Sequence, residues 1–205
     1  MVKVFTTSEK EQLSAAIYKA EKRTNAEIAA VILPISDRYI PEMMLYGFML
    51  GSLVAILLWE MSWVLSFPLL FLIQLLGIFT VPFLPGVNKC FLRLLPQKLL
   101  FHRAAHLGAE ELLAIHHNVP HNTPVVLLFI SLAEHYVHLF PNAVVKSKIK
   151  DEVWKPIVVE FSAKLSEATL TGACLHAIDA IADVLEPLFP EDKGKNQYHD
   201  ELKLY

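Results

Sequence analysis

Cysteine and glycine are both scarce in this sequence. Its 205 residues hold two cysteines, Cys90 and Cys174. Two are too few for a disulfide framework or a zinc cluster of the usual spacing, and they read as small, reduced apolar residues. Seven glycines are present and none cluster, which excludes a Gly-rich phosphate loop. Ser131 lacks the flanking glycines of a nucleophile elbow, so serine hydrolase chemistry has no support. Charge is sparse as well, at 19% of residues, with 18 Lys+Arg against 21 Asp+Glu and a net charge of -3. A general nucleic-acid binder carries net basic charge, so no nucleic-acid partner is expected.

What the chain does have is apolar surface. Hydrophobic residues make up 54%, and the mean hydropathy is +0.42, too high for a disordered chain. The excess sits in two runs. Residues 43–59 read MMLYGFMLGSLVAILLW without a charge, and after Glu60-Met61-Ser62 the second run covers residues 63–85. A bilayer core of ~30 Å takes about 20 apolar residues as helix, so the two runs are expected to form a transmembrane helical hairpin. The first run starts too far along the chain for a signal peptide. Pro68 and Pro82 are expected to kink or end the second span.

Charge sets the expected orientation. Lys3, Lys10, Lys19, Lys22, Arg23 and Arg38 precede the hairpin, and Lys89, Arg93, Lys98 and Arg103 follow it. The turn carries Glu60 alone, between Trp59 and Trp63. The positive-inside rule then places both termini and the soluble part on the cytoplasmic or matrix side of an inner membrane. Lys89, Arg93, Lys98 and Arg103 are expected to face lipid headgroups, with residues 89–95 as a short interfacial helix. Gly47, Gly51 and Ser52 form a small-residue face suited to packing on another membrane helix, and Gln74 suits an interhelical hydrogen bond.

The remainder reads as a soluble domain. Thr7 or Ser8 can cap a helix that runs to about Arg23, with Glu9 and Glu11 in its first turn. Residues 27–35 form a β-branched strand. A helix over 97–117, an apolar strand over 124–132 and an alternating strand over 134–140 follow, the two strands paired as a hairpin. Helices are expected at 142–150, at 153–165 with Pro156 in the first turn, and from Thr169 or Thr171 to 187. Residues 191–205 read as a polar, extended tail. The expected organisation is helix and strand in 1–38, the transmembrane hairpin in 39–86, the rest of an α/β domain in 87–190, and the tail.

At this point the sequence resembles the TPM-domain family, in its proteobacterial branch with a transmembrane hairpin inserted after the first strand. Glu21-Lys22-Arg23-Thr24-Asn25-Ala26-Glu27-Ile28 is similar to its E-x-x-T-x-x-E-I signature. Ser36-Asp37-Arg38-Tyr39 resembles its exit before the hairpin, and Ser131-Leu132-Ala133-Glu134-His135 its "SLAER" turn. Trp154 with Ile157-Val158, then Leu188-Phe189-Pro190 and Asn196-Gln197, are similar to its later elements. The resemblance implies an α/β/α sandwich. It also implies either acid-phosphatase or divalent-metal chemistry or a role as auxiliary factor of a membrane complex, such as photosystem repair. The departures concern the chemistry. The family's acidic residue after the paired strands is replaced around Pro141-Asn142, and no carboxylate occurs between Glu134 and Asp151. Hard cations need several oxygen ligands, so no metal or other cofactor is expected.

The titratable clusters have ordinary readings. His102 and His106 share a helix face, but neither His116, His117 nor His121 completes a zinc pattern. His135 and His138 face opposite sides of their strand. Asp179 and Asp183 read as a solvated face, and Glu134 as ordinary turn charge. The expected function is a non-catalytic accessory, assembly or stabilising subunit, bound to a lipid bilayer and a larger membrane protein complex. The alternative is a membrane-tethered phosphatase using Ca2+ or Mg2+ through Glu21, Glu27, Asp37 or Glu134.

Overall fold

The computed structural model describes residues 5–61, 66–83, 91–120, 122–167, 169–190 and 202–204. Trp63, Lys89, Cys90, His121, Asn196 and Gln197 therefore lie outside the described residues. The fold is mixed α/β, and the chain divides into two compact units, one of residues 1–36 with 101–205 and one of residues 37–100.

The first unit is built on a sheet in the order β3-β2-β1-β4. Strand β1 (Glu27–Leu33) runs parallel to β2 (Val125–Ser131), with Glu27 opposite Val125 and Leu33 opposite Ser131. Strand β3 (Tyr136–Pro141) is antiparallel to β2, Ser131 facing Tyr136. The expected strand pair is thus present. The tail, however, supplies a short fourth strand, β4 (Leu202–Leu204), parallel to β1. Leu202 and Leu204 flank Lys203, and that two-residue period is the signal a reading of the tail by polarity alone misses.

Side chains alternate across the sheet, and both faces are covered, which is why β1 and β2 read as unbroken apolar runs. On one face Ile28, Ala30, Ile32, Val126, Leu128 and Ile130 meet helix α1 (Thr7–Glu21) and the later helices. On the other, Ala29, Val31, Leu127 and Phe129 pack with Ala104 and Ile115 of helix α4 (Gln97–Asn118). Each buried Ile, Leu, Val or Phe among them contributes about 1.5–3 kcal/mol. Gly108 sits in α4 because a Cβ there would lie 2.5 Å from the Phe140 ring.

The helices after the sheet are α5 (Ala143–Lys146), α6 (Lys155–Glu167) and α7 (Leu170–Leu185). The segment expected to be helical over 142–150 forms a single turn, capped by the Asn142 side chain, which accepts the Val145 N–H at 3.1 Å. A 3-10 turn over Asp151–Trp154 leads into α6, with Pro156 in its first turn. Thr169 caps α7 by accepting the Gly172 N–H. The cap of α1 is Thr6, not Thr7 or Ser8. Its hydroxyl accepts the Glu9 N–H while Glu9 accepts the Thr6 N–H, and this reciprocal pair favours the earlier start.

The second unit contains two packed helices, α2 (Ile40–Glu60) and α3 (Phe67–Thr80), the latter extended by a 3-10 turn over Val81–Phe83. Helix α2 begins at Tyr39, whose φ of 52° turns the chain into the helix. It alone, among the described residues, is long and apolar enough to cross a membrane. Helix α3 is shorter than the second apolar run suggests. Pro68 stands in its first turn, where its fixed φ suits a helix start, so it opens the helix and does not kink it. The unit also takes in residues 91–100, which the sequence assigns to the soluble domain.

Candidate functional site

In open α/β sheets, ligands collect at the carboxyl ends of parallel strands. Here those ends belong to β1 and β2, and their backbones stay paired beyond the strands. Leu132 donates its N–H to the Leu33 carbonyl and Ala133 to the Pro34 carbonyl, both at 3.0 Å. The following turn closes with the His135 N–H on the Leu132 carbonyl at 3.3 Å. His135 itself adopts a φ of 51°, a conformation histidine tolerates better than most residues.

That turn aims Glu134 back at the strand ends. The residue is 2% exposed. One oxygen, Oε1, accepts both the Ser36 N–H at 3.0 Å and the Ser36 hydroxyl at 2.7 Å. The other, Oε2, accepts the Ser131 hydroxyl in a short hydrogen bond. A buried carboxylate survives when its oxygens are met by donors, and these donors come from the exits of both strands. Reading Glu134 as ordinary turn charge is therefore corrected. The signal available in the sequence was the serine at the end of each strand, Ser36 and Ser131, bracketing one acid.

Two of the other candidate carboxylates lie away from it. Glu21 is buried at the end of α1, and its Oε1 accepts the Ile28 N–H at 3.1 Å. Glu27 begins β1, opposite Val125. Six steps of ~3.3 Å each separate Glu27 from Leu33, about 20 Å of strand. Glu21 and Glu27 thus lie at the opposite end of the sheet from Glu134. Asp37 falls in the second unit, where Oδ1 accepts the Arg38 N–H at 2.6 Å and the Tyr39 N–H at 3.4 Å. The separation along the strand keeps Glu21 and Glu27 from sharing one cation with Glu134. Among the described residues no three His, Cys, Asp or Glu side chains come together to hold a metal.

The segment around Thr24 is a structural joint. Thr24 donates its hydroxyl to the Phe189 carbonyl at 2.6 Å, Asn25 donates its N–H to the same carbonyl at 2.8 Å, and Thr24 bridges to Pro190. Arg23 beside it binds Asp179 at 2.9 Å, Asp183 at 2.5 Å and Glu186 at 2.6 Å. Those acids, Asp183 and Glu186 foremost, push the guanidinium even further above its usual range. Asp179 and Asp183 are exposed, as the solvated-face reading expects, and are also acceptors that tie α7 to the end of α1.

In the helix pair, the small-residue face is occupied from within. A Cβ on Gly47 would overlap the Gly77 carbonyl, and one on Gly51 would lie 3.0 Å from the Gln74 Cα. Gln74 donates its side-chain N–H to the Ser52 hydroxyl at 3.3 Å. Contacts that advance along α2 as they retreat along α3 make the two helices antiparallel. Gly47, Gly51 and Ser52 thus join the two helices to each other, and Gly77 is a partner the sequence reading left out. Of the basic residues, Arg93 and Lys98 are exposed and Arg103 is partly buried. His106 Nδ1 lies 3.4 Å from Glu110 of its own helix.

These features define a mixed α/β protein with helices on both faces of a small sheet and a buried serine–carboxylate cluster at its strand ends. The NMR structure of the BA42 protein from the psychrophilic bacterium Bizionia argentinensis has a similar fold. The TM-score is 0.57 at 11% identity, over 99% of this chain and 94% of that one. No protein-family model and no curated protein matches the sequence.

Proposed function

We propose that this chain is a membrane-anchored, TPM-like α/β/α domain that serves as a non-catalytic accessory, assembly or stabilising subunit of a larger membrane protein complex. The observation that carries the reading is the exposure of the helix pair. Leu53, Ile56 and Leu57 of α2 are 54%, 60% and 55% exposed, and an apolar surface of that extent calls for lipid or protein around it. Helix α2 has 21 residues, about 31 Å at ~1.5 Å per residue, which matches a bilayer core. Because α3 runs antiparallel to α2, it directs the chain back towards the side it left, the side that carries the Lys and Arg clusters. The order of TPM-type motifs around the helices supports the same organisation. The commitment of Glu134 to Ser36 and Ser131, with Glu21 and Glu27 at the far end of the sheet, favours a structural role over phosphatase chemistry.

Blue native electrophoresis of mildly solubilised membranes tests this. Co-migration of the chain with a large defined complex is the expected result. Migration at its own 23.2 kDa plus detergent, together with Mg2+- or Ca2+-dependent phosphomonoester hydrolysis lost in Glu27→Gln, would overturn it.

A further inference from the structure

The first unit holds a cavity of ≈ 370 Å³ between the edge strand β3 and the corner where the 3-10 turn enters α6. Its size falls in the range of small-molecule sites, roughly 300–1,000 Å³. Nothing in the serine–carboxylate cluster or the membrane reading uses it. Its apolar wall includes Leu139, Trp154 and Val158. Leu139 and Trp154 are almost fully buried, at 2% and 3% exposure. Exposed charges line it too: Lys146 from α5, Asp151 from the 3-10 turn and Lys155 from α6. Neither lysine forms an ion pair among the described residues, so the charges lining the cavity sum to one excess positive charge. Trp154 adds a second observation. Its Nε1 is buried without a hydrogen-bond partner among the described residues. Buried indole N–H groups normally find an acceptor, and an unmade one is costly.

We propose that this cavity binds a small amphipathic anion, a carboxylate on an aromatic or branched aliphatic body. The apolar body rests on Leu139, Val158 and the Trp154 ring, and the carboxylate meets Lys146 and Lys155. A carboxylate suits these two lysines because it accepts from several donors at once. Its remaining lone pairs are the acceptor chemistry that the Trp154 N–H lacks. Burial in the wall means that this last contact needs a small movement of the indole.

The test uses the full chain in lipid nanodiscs, with Trp59→Phe and Trp63→Phe leaving Trp154 as the one fluorescent reporter. Phenylacetate is titrated and followed by fluorescence and by calorimetry. The expected result is saturable binding at millimolar concentration or below, with a change in Trp154 emission. Phenylacetamide, of the same shape without charge, should bind about tenfold more weakly, as should phenylacetate to the Lys146→Gln/Lys155→Gln variant, the scale of one charge-assisted contact. Val158→Phe should block binding by filling the cavity. No saturable binding of phenylacetate overturns the proposal. So does equal affinity for phenylacetamide, which needs no variant to fold, or unchanged affinity in the double lysine variant, which would place the ligand in the lipid or elsewhere on the protein.

Discussion

The two units use the same residue types in opposite ways. In the α/β unit Ile32, Leu128 and Ile181 are 1%, 1% and 0% exposed. In the helix pair Leu53, Ile56 and Trp59 are 54%, 60% and 62% exposed. The α/β unit is also fastened by polar joints, among them Glu134 with Ser36 and Ser131, Thr24 with Phe189, and Arg23 with three acids. The helix pair has close glycine contacts and the Gln74–Ser52 hydrogen bond. The first unit carries its stability inside itself, whereas the second leaves its apolar side chains for its surroundings to cover. An apolar run therefore predicts burial, but not by what.

Substitutions that act on one unit and spare the other sharpen this contrast. The largest effect is expected from Phe161→Ala in the first unit's core, where the ring is 1% exposed. Its loss should cost about 3–5 kcal/mol in denaturant unfolding of the α/β unit. Leu53→Ala on α2 should leave that same transition within about 0.5 kcal/mol. Glu134→Ala is next. It strands the Ser36 and Ser131 hydroxyls and should destabilise the α/β unit by about 1–3 kcal/mol, while Glu134→Gln, which keeps acceptor and donor capacity, should cost less. Gly77→Leu forces side-chain atoms into the Gly47 carbonyl and should cost the helix pair about 1–3 kcal/mol. The readout is loss of crosslinking between paired cysteines on α2 and α3, with the α/β transition unchanged. Thr6→Ala removes the α1 cap and should cost about 1 kcal/mol by the same unfolding measurement.

The smallest expected effect is a pH dependence. Partial burial holds the His138 imidazole below its ordinary value of 6.5, helped by nearby Lys146 and opposed by Asp151. The unfolded chain therefore takes up this proton at higher pH than the folded one. Stability should fall as the pH drops from about 6.5 towards the folded-state value and level off below it. Unfolding measured across that window should show a shallower slope in His138→Gln.

Much of the α/β unit was legible because its signals are local. The apolar run of Val125–Ser131 and the alternation after Glu134 mark the strands, and Leu175, Ile178, Ala182 and Leu185 mark α7. What the sequence hid depends on contacts between distant segments. Glu134 looks like turn charge until the β1 exit brings Ser36 beside it, 98 positions away. Asp179 and Asp183 look like mutually repelling surface acids until Arg23 is placed between α1 and α7. Gly47 and Gly51 advertise a close helix contact, but not that the partner is Gly77 in the next helix. The tail strand escaped because three residues pair with β1 after a segment whose composition is polar.

The proposed function requires lipid or a membrane partner around the helix pair and water around the α/β unit. The direct test is thiol labelling of Leu53→Cys and Ser162→Cys in nanodiscs with a membrane-impermeant maleimide, in a Cys90→Ser background. Cys174 stays silent, since it is fully buried and burial pushes its thiol up to about 12. Both test positions are exposed on the protein itself, so a difference between them reports what surrounds the helix pair. The account predicts that Ser162→Cys labels rapidly and Leu53→Cys stays protected until the protein is denatured. Equal labelling at the two sites would contradict it.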